Sequence, residues 1–407
     1  MQWAALVFGS LPRIRELERL NQTGLGSRWP FSVQSIEARF GAIRDVSTNC
    51  FMCGRFKGAD SFTEEHVIPD WLLRHTGLHD KSIELPTGQT IRYSRYKIRC
   101  CGDCNAFLGR EFEEPISAVV TEGYDAVLEL VSDEGGRLDL LLWLSLIFLK
   151  SHLKDCEFRE NLDLRLPDGT IGENYAPGLF HHLFCIVRAR LFEVTYAGPI
   201  AGTIIVKKVT NFAQHGDYDF KDNWITRTIY IRIKDICIIS SLSDQGSGAW
   251  MLKDKLKRVP SEISIPQSRE LFGDLIAARM HLTEEPKYRS IFDRKSGELL
   301  VVAERSKTLG WHKRNARICG WAQLFAFSDI IGSFVFEGNT PSETMEMIAS
   351  GDFSQFPLDG SENPATFTTG SFPDLSEAVQ EALQGSLTHQ DLTDALGALI
   401  DVNSEKS

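Results

Sequence analysis

Four cysteines in two tight pairs carry the first chemistry visible in this chain. Cys50-Phe51-Met52-Cys53 and Cys101-Gly102-Asp103-Cys104 are each a Cys-x-x-Cys turn that can present two thiolates from one knuckle. Two such knuckles complete a tetrahedral zinc shell with no open position, which is the mark of a structural site. Between them lies Thr63-Glu64-Glu65-His66-Val67-Ile68-Pro69, and the second knuckle runs directly into Asn105. A zinc ion held by Cys50, Cys53, Cys101 and Cys104 would pin the segment carrying Glu65 and His66 against the segment that starts at Asn105.

This order of Cys-x-x-Cys, Glu-His, Cys-x-x-Cys-Asn resembles the zinc-containing HNH endonucleases, the ββα-metal or His-Me finger group. The resemblance covers about 65 of the 407 residues. It implies an α+β protein with an embedded, zinc-stabilised ββα-metal module that hydrolyses DNA phosphodiester bonds. By position it assigns His66 as general base and Glu65 and Asn105 as ligands of one catalytic Mg²⁺ or Mn²⁺ ion. The chemistry agrees with those residue types. Imidazole titrates near neutral pH and can take a proton from water, a cation neutralises charge on the phosphate, and carboxylate and amide oxygens suit hard divalent ions. The chain departs from the family where a middle Asn is expected, because that region reads Arg95-Tyr96-Lys97. In a regular strand residues 65 and 66 point to opposite faces, so the resemblance calls for irregular backbone there.

Plainer readings stand beside this one. The four cysteines suit a zinc ribbon with no catalysis. His66 as a zinc ligand is disfavoured by a shell already full. Glu64 rivals Glu65 one position away. Asn105 has the side chain of an N-cap for a helix 106–114 ending at Pro115. Glu113, two turns on along the same helical face, is a weaker candidate ligand.

Around these residues the sequence places its basic groups. Ile91 to Arg99 reads as one strand with Arg92, Arg95, Lys97 and Arg99 interleaved with Tyr93 and Tyr96, a pattern suited to a nucleic-acid backbone as well as to a solvated face. Arg110 follows on the helix. A second basic cluster, at 305–317, gathers Arg305, Lys307, His312, Lys313, Arg314 and Arg317 around Trp311. Leu138 to Leu149 reads as a buried core helix, too short to span a bilayer. Residues 178–192 read as a helix on which the adjacent His181 and His182 diverge by about 100°, favouring a core or capping role over a metal. Thr203–Val206 and Thr226–Ile239 read as strands, and 249–257 and 267–283 as helices. The loop 244–248 is Gly-rich but lacks the Lys-Ser/Thr of a phosphate loop.

These pieces suggest a helical segment at 1–48, the nuclease module at 49–118, a mixed body at 119–336 and an acidic segment at 337–407 that includes short helices at 375–383 and 390–399. The formal charge is −11, yet residues 337–407 hold 13 acidic side chains and one lysine, −12 in all, leaving the rest at +1. Nine cysteines, scattered outside the knuckles, fit a reducing, cytoplasmic setting with one metal site and no disulfide framework. The apolar N-terminal run lacks a basic lead, which argues against a signal peptide. DNA is the expected partner, with the 119–407 region available for a second copy or a protein partner. A nuclease joined to an unfamiliar body suggests bacterial anti-phage defence or restriction, by analogy only. The alternative is a non-catalytic zinc protein that binds nucleic acid or serves as a protein-interaction subunit.

Overall fold

The computed structural model describes residues 48–356, except for 57, 59–61, 86, 162, 164, 166–168, 176–179, 192, 211–214, 293–297, 305–309, 331–333 and 337, and also the strand at 367–369. The helices expected at 1–48, 375–383 and 390–399, and the side chains of Arg305 and Lys307, lie outside the described residues.

The first knuckle is a turn closed by Gly54 N–H donating to Cys50 O at 2.8 Å. Gly54 has φ +71°, a left-handed conformation that needs glycine. Strand β1 (Phe62–His66) leads through Pro69 into a short helix, α1 (Asp70–His75). A hairpin of β2 (Ser82–Glu84) and β3 (Thr90–Arg92) follows, then β4 (Lys97–Cys101), which pairs antiparallel with β1. Helix α2 (Gly102–Leu108) starts at once, so Cys101 closes the strand and Cys104 sits in the first helical turn.

The stretch 91–99 is therefore not one strand. A 3₁₀ turn at Tyr93–Arg95 hands the chain from its pairing with β2 to its pairing with β1. The two tyrosines face inward and do not interleave with the basic groups: Tyr96 is buried and stacks on Phe158, and Tyr93 meets Tyr218 edge-on.

The helix after Asn105 does not stop at Pro115. A π-helical turn, Gly109–Glu113, joins α2 to α3 (Glu114–Glu122), with Pro115 in the first turn of α3 directly after it. Next come α4 (Tyr124–Ser132) and the long α5 (Glu134–Asp155), whose Asp133 N-cap accepts from Gly136 N. Helix α5 is buried on every side from Leu140 to His152, as a helix apolar all round must be.

The body continues with α6 (His181–Ala189) and β5 (Glu193–Ala197), and then a five-stranded sheet. Its strands are β6 (Thr203–Val209), β7 (Tyr218–Asn223), β8 (Thr228–Ile233), β9 (Ile236–Ser241) and β10 (Glu262–Ile263), in the order β10-β6-β9-β8-β7. Between β9 and β10 lie α7 (Ser247–Met251) and α8 (Lys253–Leu256), and after β10 comes α9 (Ile265–Met280). The Gly-rich loop before α7 folds around its own acid: Asp244 accepts from the N–H groups of Gly246 and Gly248 and from Thr203. A three-stranded sheet pairs β11 (Lys287–Phe292) and β12 (Glu298–Glu304) with β5. Helices α10 (Ala316–Phe327) and α11 (Pro341–Ala349) complete the body, and β13 (Phe334–Phe336) pairs antiparallel with β14 (Phe367–Thr369).

The five-stranded sheet is covered on both faces, which explains why every residue of β8 and β9 is buried, the polar ones included. Ile229, Ile231, Ile233, Ile236 and Ile238 join one core with α5, α6 and the cysteine segment. Tyr230, Cys237 and Ile239 join a second core with Leu271, Phe272 and Leu275 of α9. The cysteine segment thus shares its apolar core with the body. No helix among the described residues is long and apolar enough to cross a membrane.

Ile231 is fully buried on the α5 side of the sheet. Ile231→Ala should destabilise the protein by about 2–5 kcal/mol, through lost burial and the cavity left behind. A lowered denaturant midpoint at unchanged slope in urea unfolding checks this.

Candidate functional site

The thiols of Cys50, Cys53, Cys101 and Cys104 lie within 4.8 Å of one another and can hold a zinc ion. The Sγ atoms of Cys53 and Cys101 are 3.8 Å apart, the edge of a tetrahedron with Zn–S bonds of about 2.3 Å. Among the described residues this is the one group of three or more Cys, His, Asp or Glu side chains close enough to hold a metal. Cys100 is a near neighbour, its Sγ 3.7 Å from that of Cys50. It is nevertheless not one of the four whose thiols all lie within 4.8 Å of one another. Arg55 of the first knuckle pairs with Asp103 of the second at 3.0 Å. Arg188 reaches from α6 to donate to Phe51 O at 2.8 Å, bringing a buried positive charge behind the thiolates.

From this pinned end the ribbon β1–β4 runs to His66. Its register sets Glu64 opposite Arg99, Glu65 opposite Ile98 and His66 opposite Lys97. The backbone at 65–66 is regular strand, so Glu65 and His66 point to opposite faces. His66, Lys97 and Arg99 share one face.

The His66 imidazole is partly buried, with Nε2 3.7 Å from Asp70 Oδ1. Asp70 stands in the first turn of α1, where the helix favours an acid. The same oxygen is 3.0 Å from His79 Nε2, and the two imidazole rings meet edge-on at 6.2 Å. Arg74 also pairs with Asp70. Burial lowers the His66 pKa and Lys97 lowers it further, while Asp70 works to raise it. The net shift is downward, which favours the uncharged ring, with the Asp70 carboxylate close beside it.

Glu65 turns the other way, into the core. Lys150 of α5, fully buried, donates from Nζ to Glu65 Oε1 at 2.7 Å and to His66 O at 2.6 Å. Glu113, carried inward by the π-helical turn, places Oε1 3.6 Å from the same ammonium. Burial raises Glu113 to about 7; Lys150 opposes that shift and Glu65 adds to it. Burial alone would depress the Lys150 pKa, but the two carboxylates outweigh it and raise it.

Asn105 is not an N-cap, since its helix starts three residues earlier, at Gly102. Its Nδ2 donates to Thr63 Oγ1 at 2.7 Å, tying α2 to β1. Strand alternation puts Thr63 on the Glu65 side of the ribbon. Arg92, Arg95, Arg99 and Arg110 are exposed and Lys97 is partly so. Arg110 pairs with Glu111 at 2.9 Å.

Sequence reasoning passed over Asp70, His79 and Lys150. Asp70 could have been found from its spacing, four residues after His66 and at a helix start. Lys150 directly follows the apolar run 138–149, and nothing local marks its partners 84 and 85 residues away. His182, read as a core or capping residue, stacks on Tyr288 at 3.4 Å, and burial holds it at about 3.

Zinc content by mass spectrometry should be one per chain. It should fall to near zero in Cys104→Ser, with local unfolding because the binding energy is folding energy, and stay at one in Cys100→Ser. Glu113 supplies a pH test. Its folded pKa lies above the ordinary carboxylate value, so the folded state binds the extra proton and stability falls as pH rises from about 4.5 through about 7. Glu113→Gln should flatten that fall in urea denaturation between pH 5 and pH 8.

Comparison with protein-family models, with curated proteins and with solved structures finds no match to this chain.

Proposed function

We propose that this protein hydrolyses DNA phosphodiester bonds at the ribbon β1–β4, as an endonuclease of the HNH type, with the four-cysteine cluster as its structural zinc site. The observation that carries this reading is the His66 imidazole, set near Asp70 on the face of the ribbon that also presents Lys97 and Arg99. His66 takes the proton of the attacking water. Asp70 orients the ring and stabilises the imidazolium that forms. Lys97 and Arg99 neutralise charge on the phosphate, while Arg92, Arg95 and Arg110 hold the flanking backbone. The antiparallel pair β1–β4 followed at once by α2 supports this reading, with α1 and the β2–β3 hairpin inserted between its strands.

A divalent ion, where the HNH type uses one, neutralises charge on the scissile phosphate. Glu65 and Asn105 do not fit that role as they stand. Glu65 is buried and its carboxylate holds the Lys150 ammonium, and the Asn105 amide donates to Thr63. The same ion pair favours a second reading, a zinc-pinned module that binds nucleic acid or a protein partner without cutting.

Nicking of supercoiled plasmid separates the two readings. His66→Ala should lower the rate by about 10²–10⁴, with zinc content and DNA affinity unchanged. Equal rates in wild type and variant would leave the binding reading. The pH profile adds a sign. The base works when neutral, so the rate falls as pH drops through the His66 pKa. Lys97→Ala removes a charge that depresses that pKa and should move the acid limb to higher pH; Asp70→Asn should move it lower.

A further inference from the structure

An ammonium with no exposed surface is costly unless it is fully paired. Lys150 meets that demand with groups from two elements: Glu65 and the His66 carbonyl come from β1, and Glu113 from the π-helical turn. Glu113 Oε1 is buried without a hydrogen-bond partner, aimed at the same centre. Two inward carboxyl groups and a main-chain carbonyl around one point make an oxygen cage of the kind that holds a hard cation. Here the cage is filled from within the chain.

We propose that Lys150 is the resident cation of this cage: its ammonium takes the place between Glu65 and Glu113 that a divalent ion would otherwise occupy, and it fixes the His66 peptide from behind. Glu65 is then an anchor for the strand end, and Lys150 is a positioning residue acting through the His66 backbone. A divalent ion entering the cage would stand beside an ammonium at contact distance, so like-charge repulsion excludes it while Lys150 is present. Mg²⁺ also keeps several of its waters, and a buried cage offers them no room. Only the catalytic consequence rests on the nuclease reading; the occupancy of the cage does not.

The test uses the full, zinc-loaded chain and Mn²⁺ as probe, read as bound Mn²⁺ by electron paramagnetic resonance, to which zinc is silent. The quantity measured is the Mn²⁺ binding that Glu65→Gln removes. In wild type it should be nil up to millimolar Mn²⁺. In Lys150→Met, which keeps the stem and deletes the charge, it should rise to one per chain with at least tenfold tighter binding, and vanish in Lys150→Met with Glu65→Gln. Glu65-dependent Mn²⁺ binding in wild type overturns the proposal. So does a folded Lys150→Met that binds none. Should Lys150→Met fail to fold, the comparison of wild type with Glu65→Gln decides alone. A loss of nicking in any variant bears on the nuclease reading and leaves the Mn²⁺ result standing.

Discussion

Two five-residue strands cannot hold a defined ribbon in water by their own hydrogen bonds. Everything proposed for His66 therefore depends on what clamps β1 and β4 at their ends. At one end the two knuckles bring four thiols together, and thiolates so close require a cation to relieve their repulsion. At the other, the buried Lys150 ammonium grips both Glu65 and the His66 carbonyl. Between them the Asn105 amide ties α2 across to Thr63. The ribbon is thus a short span between two electrostatic fixings, with the imidazole just at the second.

The second fixing also makes the ribbon inseparable from the body. Lys150 belongs to α5, whose apolar surface shares a core with the inner face of the five-stranded sheet. On the far side of that sheet buried charge is handled in the same way. Arg269, fully buried, is held by Asp219 at 2.8 Å and Asp329 at 2.6 Å, and lies over the Tyr230 ring. Arg227 and Arg279 share Glu285, each at 2.7 Å. Losing one partner from such a cluster leaves a buried charge uncompensated, which costs far more than the cluster contributes when intact.

How much of this the sequence disclosed follows from the range of each interaction. The cysteine spacing is local and named all four members of the cluster. The β6, β8, β9 and α9 segments were readable because apolar runs and turn residues are local signals too. The 91–99 stretch misled because its alternation satisfied the strand pattern while its pairing partner changed partway, and a partner is never written in the stretch itself. Glu65 and His66 were recognised as a pair, but which faced the core depended on a lysine 84 and 85 residues downstream. The π-helical turn at Gly109–Glu113 had no signature beyond Gly109, and Pro115 served equally as a stop or as a first-turn residue.

The regular backbone at Glu65–His66 has one more consequence, which concerns parity. Side chains on a strand alternate, so a slip of one residue between β1 and β4 would turn the imidazole into the core and the carboxylate out to solvent. It would also strand Lys150 without its anion. Backbone hydrogen bonding alone hardly distinguishes the two settings in so short a ribbon. What does distinguish them is counting from a fixed origin: Cys101 stands opposite Phe62, and every later pair follows from that one. The cysteine cluster therefore does more than staple two segments. It is the zero mark from which the strand counts which residue is outside, and Lys150 holds the same setting from the other end.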